Sequence, residues 1–147
     1  MVCTVLLFCL ATTNVRATLL SVPRQVSPPQ IDRISAEELK SKLARKKPLT
    51  IIDVRASNAY ITSDQKIKGA IRVKLRRLKY RLSLPPLKDI PRDREVITYC
   101  ACSHEETSIR AAQLLLAAGF KNVRALKGGW DAWLKADGQL ETKPRHL

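Results

Sequence analysis

Read for the spacing of apolar and polar side chains, the chain alternates between helix-type and strand-type segments from about residue 34 onward. Ser35-Ala36-Glu37-Glu38 is a capping box, in which the hydroxyl and the third-position Glu satisfy orphan amides at a helix start. Leu39 and Leu43 give that helix an apolar edge. Leu49 to Val54 is a β-branched run after Pro48, suited to a buried strand of a parallel sheet. A short strand is predicted from Ala70 to Val73, after the turn residue Gly69. From Lys74 to Leu82, Leu75, Leu78 and Leu82 fall at helical spacing among Lys74, Arg76, Arg77, Lys79 and Arg81, which predicts an amphipathic helix with a solvated basic face. Pro85-Pro86 ends the pattern, and Glu95 to Tyr99 supplies the next strand. A polar loop leads to a helix from Ser108 to Ala118, with Thr107 or Ser108 as N-cap and Gly119 as left-handed terminator. Asn122 to Leu126 reads as a strand, Gly128-Gly129 as a turn, and Trp130 to Ala136 as a helix closed by Gly138.

This alternation predicts an α/β fold, a largely parallel sheet flanked by helices on both faces. Ligands in such sheets sit beyond the carboxyl ends of the strands, which directs attention to the loop after Tyr99. At 147 residues the chain accommodates one folded domain, expected over 34–147. Residues 18–33 carry Pro23, Pro28 and Pro29 without an apolar period and read as a linker. Residues 1–11 are an uncharged apolar run, shorter than the roughly 20 residues that span a bilayer. With Val15-Arg16-Ala17 offering small residues at signal-peptidase spacing, 1–17 is expected to be a signal peptide and the mature protein periplasmic or secreted. The usual Lys or Arg ahead of the run is missing. The alternatives are the remnant of a membrane helix or a mis-assigned start, the latter with a cytoplasmic protein. Phe8 stands where a lipoprotein box needs a small residue, so Cys9 is not expected to carry a lipid.

Charge narrows the partners. With 27 Lys+Arg against 13 Asp+Glu the formal charge is +14, which favours anionic surroundings. Two Trp, three Tyr and two Phe form no alternating aromatic and basic pattern, so nucleic-acid binding is not expected. An anionic membrane surface or a membrane protein remains a candidate partner.

Of four cysteines, Cys3 and Cys9 lie in the leader and Cys100 and Cys102 in the domain. A C-x-C pair cannot staple distant segments, so it points to chemistry or metal rather than a disulfide scaffold. The candidate loop is Cys100-Ala101-Cys102-Ser103-His104-Glu105-Glu106, followed by Thr107 and Ser108. A strand running into Cys100 and a helix starting shortly after it aim amides and a helix N-terminus at one point, a cradle that stabilises a thiolate or persulfide anion.

Asp53-Val54-Arg55, Lys68-Gly69-Ala70-Ile71, Tyr99-Cys100, Ser108 with Arg110-Ala111-Ala112, Gly119-Phe120-Lys121-Asn122-Val123, and Gly128-Gly129-Trp130 with Ala132-Trp133 follow one another in an order that resembles single-domain rhodaneses. The resemblance covers 34–140. It implies a rhodanese-like fold and a catalytic cysteine that takes a sulfane sulfur from a small-molecule donor and passes it to a thiol acceptor, with no cofactor. Counted from Cys100 the loop is longer than the common rhodanese loop, and counted from Cys102 its length fits, so either cysteine is a candidate acceptor. Cys100 is favoured because it follows the strand-ending Tyr99. The loop looks closer to a C-x-C-P-x-E variant of some bacterial rhodanese-like proteins, some of them attached to membrane proteins, with Ser103 in place of Pro. Glu105 and Glu106 stand where the family has Gly and often Arg, and are expected to repel an anionic donor such as thiosulfate.

Two other function classes compete with a sulfurtransferase. One is a rhodanese-fold binding or regulatory module without catalysis. The other is a dithiol redox or soft-metal site at Cys100 and Cys102. Two thiols with His104 make an incomplete zinc set, so no metal is expected. Cysteine-dependent phosphatase chemistry needs an arginine where Glu106 or Ser108 stands. Asp53 and Arg55 are expected to be a structural ion pair near the site, Trp130 and Trp133 core, and His104 exposed.

Overall fold

A computed structural model of the chain describes residues 29–102 and 104–144. The leader over 1–17, most of the linker, and Ser103 of the loop lie outside the described residues.

The elements run β1 (Asp32–Ile34), α1 (Ala36–Ala44), β2 (Leu49–Asp53), α2 (Ser57–Ile61), β3 (Gln65–Ile67), β4 (Ile71–Arg72), a 3-10 turn (Leu75–Arg77) leading into α3 (Leu78–Arg81), β5 (Glu95–Tyr99), α4 (Glu106–Ala117), β6 (Asn122–Leu126), α5 (Gly129–Lys135) and β7 (Leu140–Thr142). Five strands form one sheet in the order β1-β6-β5-β2-β4, every pair parallel. The fold is thus the expected α/β class. β3 and β7 make a separate antiparallel pair.

Successive strand residues point to opposite faces, and the core divides accordingly. Ile52, Val96 and Cys100 face a cluster with Leu78, Ala111, Ala112 and Leu115 of α3 and α4. Ile51, Ile97 and Tyr99 face the other cluster, with Leu39 of α1 and Trp130 and Trp133 of α5. Full burial of each large aliphatic side chain contributes about 1.5–3 kcal/mol.

The helix ends follow local chemistry, with departures from expectation. Ser35 Oγ accepts from the Glu38 amide at 3.1 Å, one half of the expected capping box. The Glu38 carboxylate instead meets Arg124. α4 starts at Glu106, ahead of the expected Ser108, because Glu105 takes the N-cap position with a left-handed φ of 59°. Gly119 terminates it as expected: at φ 91° it lets its own amide reach Leu116 O at 3.0 Å and the Phe120 amide reach Leu115 O at 3.1 Å. The residue closing α5 is Asp137, at φ 53°, not Gly138. Gly138 is required for another reason, since a Cβ there would lie 2.1 Å from the Trp133 ring.

The single basic helix expected over 74–82 is broken into a 3-10 turn and one α-turn. Leu78 and Leu82 are buried, while Lys74, Arg76, Arg77 and Lys79 are exposed, as a solvated face requires. Crowded like charges at helical spacing, without a side-chain cap at Lys74, disfavour a longer regular helix. β1 also begins inside the expected linker, at Asp32. Among the described residues no helix is long and apolar enough to cross a membrane.

Candidate active site

The site is built at the carboxyl ends of β2 and β5, neighbours in register from Leu49–Glu95 to Asp53–Tyr99. Asp53 and Arg55 side chains are both 0% exposed and joined by Arg55 Nη2 and Nε donating to Asp53 Oδ2 at 2.8 and 3.0 Å. Burial of a charged pair is tolerated where its other polar atoms find partners, and of this pair's side-chain atoms only Arg55 Nη1 is without a hydrogen bond. Tyr99 OH donates to Asp53 Oδ2 at 2.7 Å, Arg72 Nη1 donates to Asp53 O at 3.1 Å, and Arg55 Nη2 donates to Gln65 O at 3.0 Å. The Arg55 guanidinium also lies 4.2 Å from the Trp130 ring centroid and 5.0 Å from that of Tyr60. Burial first, and then the Asp53 charge, push the Tyr99 hydroxyl far above the ordinary phenol range, so it is a neutral donor. These contacts tie the end of β2 to Tyr99, Arg72 and Gln65.

From the Tyr99 anchor the chain enters the cysteine loop. Cys100 is 1% exposed, and its sulfur is joined in a disulfide to that of Cys102, with Cα atoms 5.7 Å apart. Cys100 Sγ lies 3.7 Å from Ser108 Oγ, against the first turn of α4. Ser108 Oγ donates to Glu105 O at 2.8 Å, and Thr98 Oγ1 donates to Ser108 O at 2.9 Å, which ties this helix start to β5. Amides of the first turn have no intrahelical acceptor, and the Glu105 side chain does not cap them. Cys100 Sγ therefore lies beside the first turn of α4, and a helix N-terminus is the positive end of its dipole.

The backbone after Cys100 is held by the β6–α5 turn. The Trp130 amide donates to Cys100 O at 2.8 Å. A Cβ at Gly129 would meet the same oxygen at 2.2 Å, so only glycine permits this approach.

The other loop residues divide sharply. Ala101, Cys102 and Thr107 are half-buried, His104 and Glu106 are exposed, and Ser108 is buried. Glu105 departs from the expectation that it stands at the mouth as a repelling charge. It is 7% exposed, accepting from Arg33 Nε at 2.6 Å and from the Gly128 amide at 2.7 Å. Its charge is compensated, because the left-handed backbone at Glu105 turns the side chain toward β1 and the β6–α5 turn. Neither Arg33 nor Gly128 is expected at the site from the sequence, where Gly128-Gly129 reads as a turn and as part of the Gly128-Gly129-Trp130 segment of the resemblance.

A groove of about 740 Å³ opens beside the first turns of α4. Thr107, Arg110, Lys74, Arg76 and Lys79 line it, and among the described residues no carboxylate does. Neither cysteine lines it; Thr107, next to Ser108, is the link. Elsewhere, among the described residues no group of three His, Cys, Asp or Glu converges as a metal site.

Comparison with known proteins agrees with this architecture. Residues 35–136 match the Rhodanese-like domain family. A sulfurtransferase of Allochromatium vinosum is 29% identical over 105 residues, 71% of this chain and 90% of that protein. The solution structure of the rhodanese-like domain from the Anabaena sp. Alr3790 protein is 32% identical, with a TM-score of 0.61 over 80% of this chain and 81% of that one. A rhodanese-like domain protein from Staphylococcus aureus is 26% identical, with a TM-score of 0.61 over 78% of this chain and all of that one (100%). The chain belongs to the rhodanese-like domain family.

Proposed function

We propose that the protein is a sulfurtransferase in which Cys100 takes up a sulfane sulfur as a persulfide and hands it to a thiol acceptor. A sulfurtransferase-type function is supported by the family match and by the sulfurtransferase relative. The observation that carries the finer reading is the position of Cys100 Sγ, 3.7 Å from Ser108 Oγ at the uncapped start of α4. A helix N-terminus favours the thiolate over the thiol, and the thiolate is the nucleophile. In the reduced chain the thiolate attacks the outer sulfur of the donor, that sulfur bonds to Cys100 Sγ, and the remainder of the donor leaves with the electron pair. The negative charge now sits on the terminal sulfur, next to the positive end of the α4 dipole. An acceptor thiolate then attacks the terminal sulfur and Cys100 leaves as thiolate.

The groove lined by Arg110, Lys74, Arg76 and Lys79 supports access by anionic donors, thiosulfate as well as organic persulfides. With Glu105 compensated by Arg33, only the exposed Glu106 opposes them among the two loop carboxylates.

The test is sulfur transfer from thiosulfate or an organic persulfide to a dithiol acceptor, which also keeps the chain reduced. Wild type is expected to exceed the uncatalysed rate and Cys100→Ser to fall to it. Failure of wild type to exceed background with any sulfane donor overturns the reading in favour of a non-catalytic module.

A further inference from the structure

The two cysteines do more together than either does as a carrier, and this step rests on the persulfide reading above. Cys102 Sγ contacts Cys100 Sγ itself. In a loaded enzyme, Cys100 Sγ is the inner sulfur of the persulfide. An acceptor that attacks the terminal sulfur receives a sulfur atom, whereas a nucleophile that attacks the inner sulfur expels the terminal one as hydrosulfide. The pairing shows that the Cys102 sulfur reaches the inner atom.

We infer that the protein is also a sulfane-sulfur reductase: Cys102 thiolate attacks Cys100 Sγ of the persulfide, closes the Cys100–Cys102 disulfide and releases hydrosulfide. The bond formed is Sγ–Sγ and the bond broken joins Cys100 Sγ to the sulfane sulfur, which leaves with both electrons and takes its proton from water. The sulfane sulfur is reduced by two electrons and the two cysteines are oxidised by one each. Reopening the disulfide needs two electrons from an external dithiol. Exposure sets the direction of that step. Cys100 is 1% exposed while Cys102 is half-buried, so the incoming thiolate reaches Cys102. Cys100 is then the leaving thiolate, at the helix N-terminus that best stabilises it. The proximity of the thiols across a single residue gives the internal attack a high effective concentration against free thiols.

This chemistry separates the protein from a carrier that needs an outside thiol to discharge. The experiment is a single turnover of the reduced full-length chain with an organic persulfide and no added dithiol, followed by free sulfide and intact mass. Wild type is expected to release one hydrosulfide per chain and to lose two hydrogens, and a dithiol should restore the reduced mass. Cys102→Ser, and Cys102→Ala as a second variant, should keep the added sulfur and release no hydrosulfide. Wild type that stays persulfidated without releasing hydrosulfide overturns the reductase step and leaves the sulfurtransferase reading standing. Chains that neither gain sulfur nor release hydrosulfide overturn both. Sulfur held by Cys100→Ser but not by Cys102→Ser reverses the assigned roles and overturns the inference as stated.

Discussion

The Gly128 amide donates to Glu105 Oε1 at 2.7 Å, joining the start of α4 to the turn before α5. Through the second carboxylate oxygen, which accepts from Arg33, the same side chain reaches β1. Glu105 is thus a strut between three segments around the cysteine loop.

Its left-handed backbone costs about 1 kcal/mol for a residue other than glycine. Hydrogen bonds to a charged group contribute about 1.5–3 kcal/mol when buried, and the half-exposed Arg33 contact less. The bonds therefore outweigh the strain. Glu105→Gly, which relieves the backbone, is still expected to destabilise the chain by about 1 kcal/mol, and Glu105→Ala by about 2 kcal/mol. Urea denaturation checks both, and a Glu105→Gly variant more stable than wild type would contradict the strut.

The buried pair of Asp53 and Arg55 leads to a larger effect. Removing one partner leaves the other charge in the interior, which costs about 3–5 kcal/mol. Asp53→Ala is expected to lower stability by that amount in chemical denaturation, because Arg55, with its side chain 0% exposed, has no water to turn to.

Alkaline pH should report on Tyr99. A phenol raised in the folded chain holds its proton more tightly there than in the unfolded chain. Stability is unaffected by this group below about pH 10 and falls as pH rises beyond it. Tyr99→Phe should flatten that slope, with Tyr60, also raised by burial, supplying the remainder. Denaturation midpoints measured from neutral to alkaline pH would show the two curves converging.

The basic groove makes donor charge the variable to test. Arg110→Glu and Lys74→Glu should each raise the half-saturating concentration of thiosulfate several-fold, roughly 3- to 10-fold at low salt, and less at high salt. An uncharged sulfane donor should be little affected. Equal effects on both donors would remove the groove from the path.

Much of this architecture was legible because it rests on local pattern. The β-branched run at β2, the run at β5, and Gly119 after α4 each announce themselves within a few residues. β1 did not, since Asp32 and Arg33 are exposed and only Ile34 is buried. β3 and β7 are short, and their pairing of Gln65 with Thr142 joins segments far apart in sequence. The Cys100 loop could be placed at the end of a strand, but the inward turn of Glu105 could not. That turn depends on a left-handed dihedral and on partners in β1 and the β6–α5 turn, neither of which a local pattern records.

Peptide mapping by mass spectrometry decides directly whether Cys100 is the sulfur-carrying residue. Reduced Cys102→Ser and Cys100→Ser chains are incubated with an organic persulfide, digested without reductant and searched for one added sulfur. The added sulfur is expected on Cys100 of the Cys102→Ser chain, with none on the loop of the Cys100→Ser chain. Added sulfur on Cys102 of Cys100→Ser, with Cys102→Ser unmodified, would contradict it.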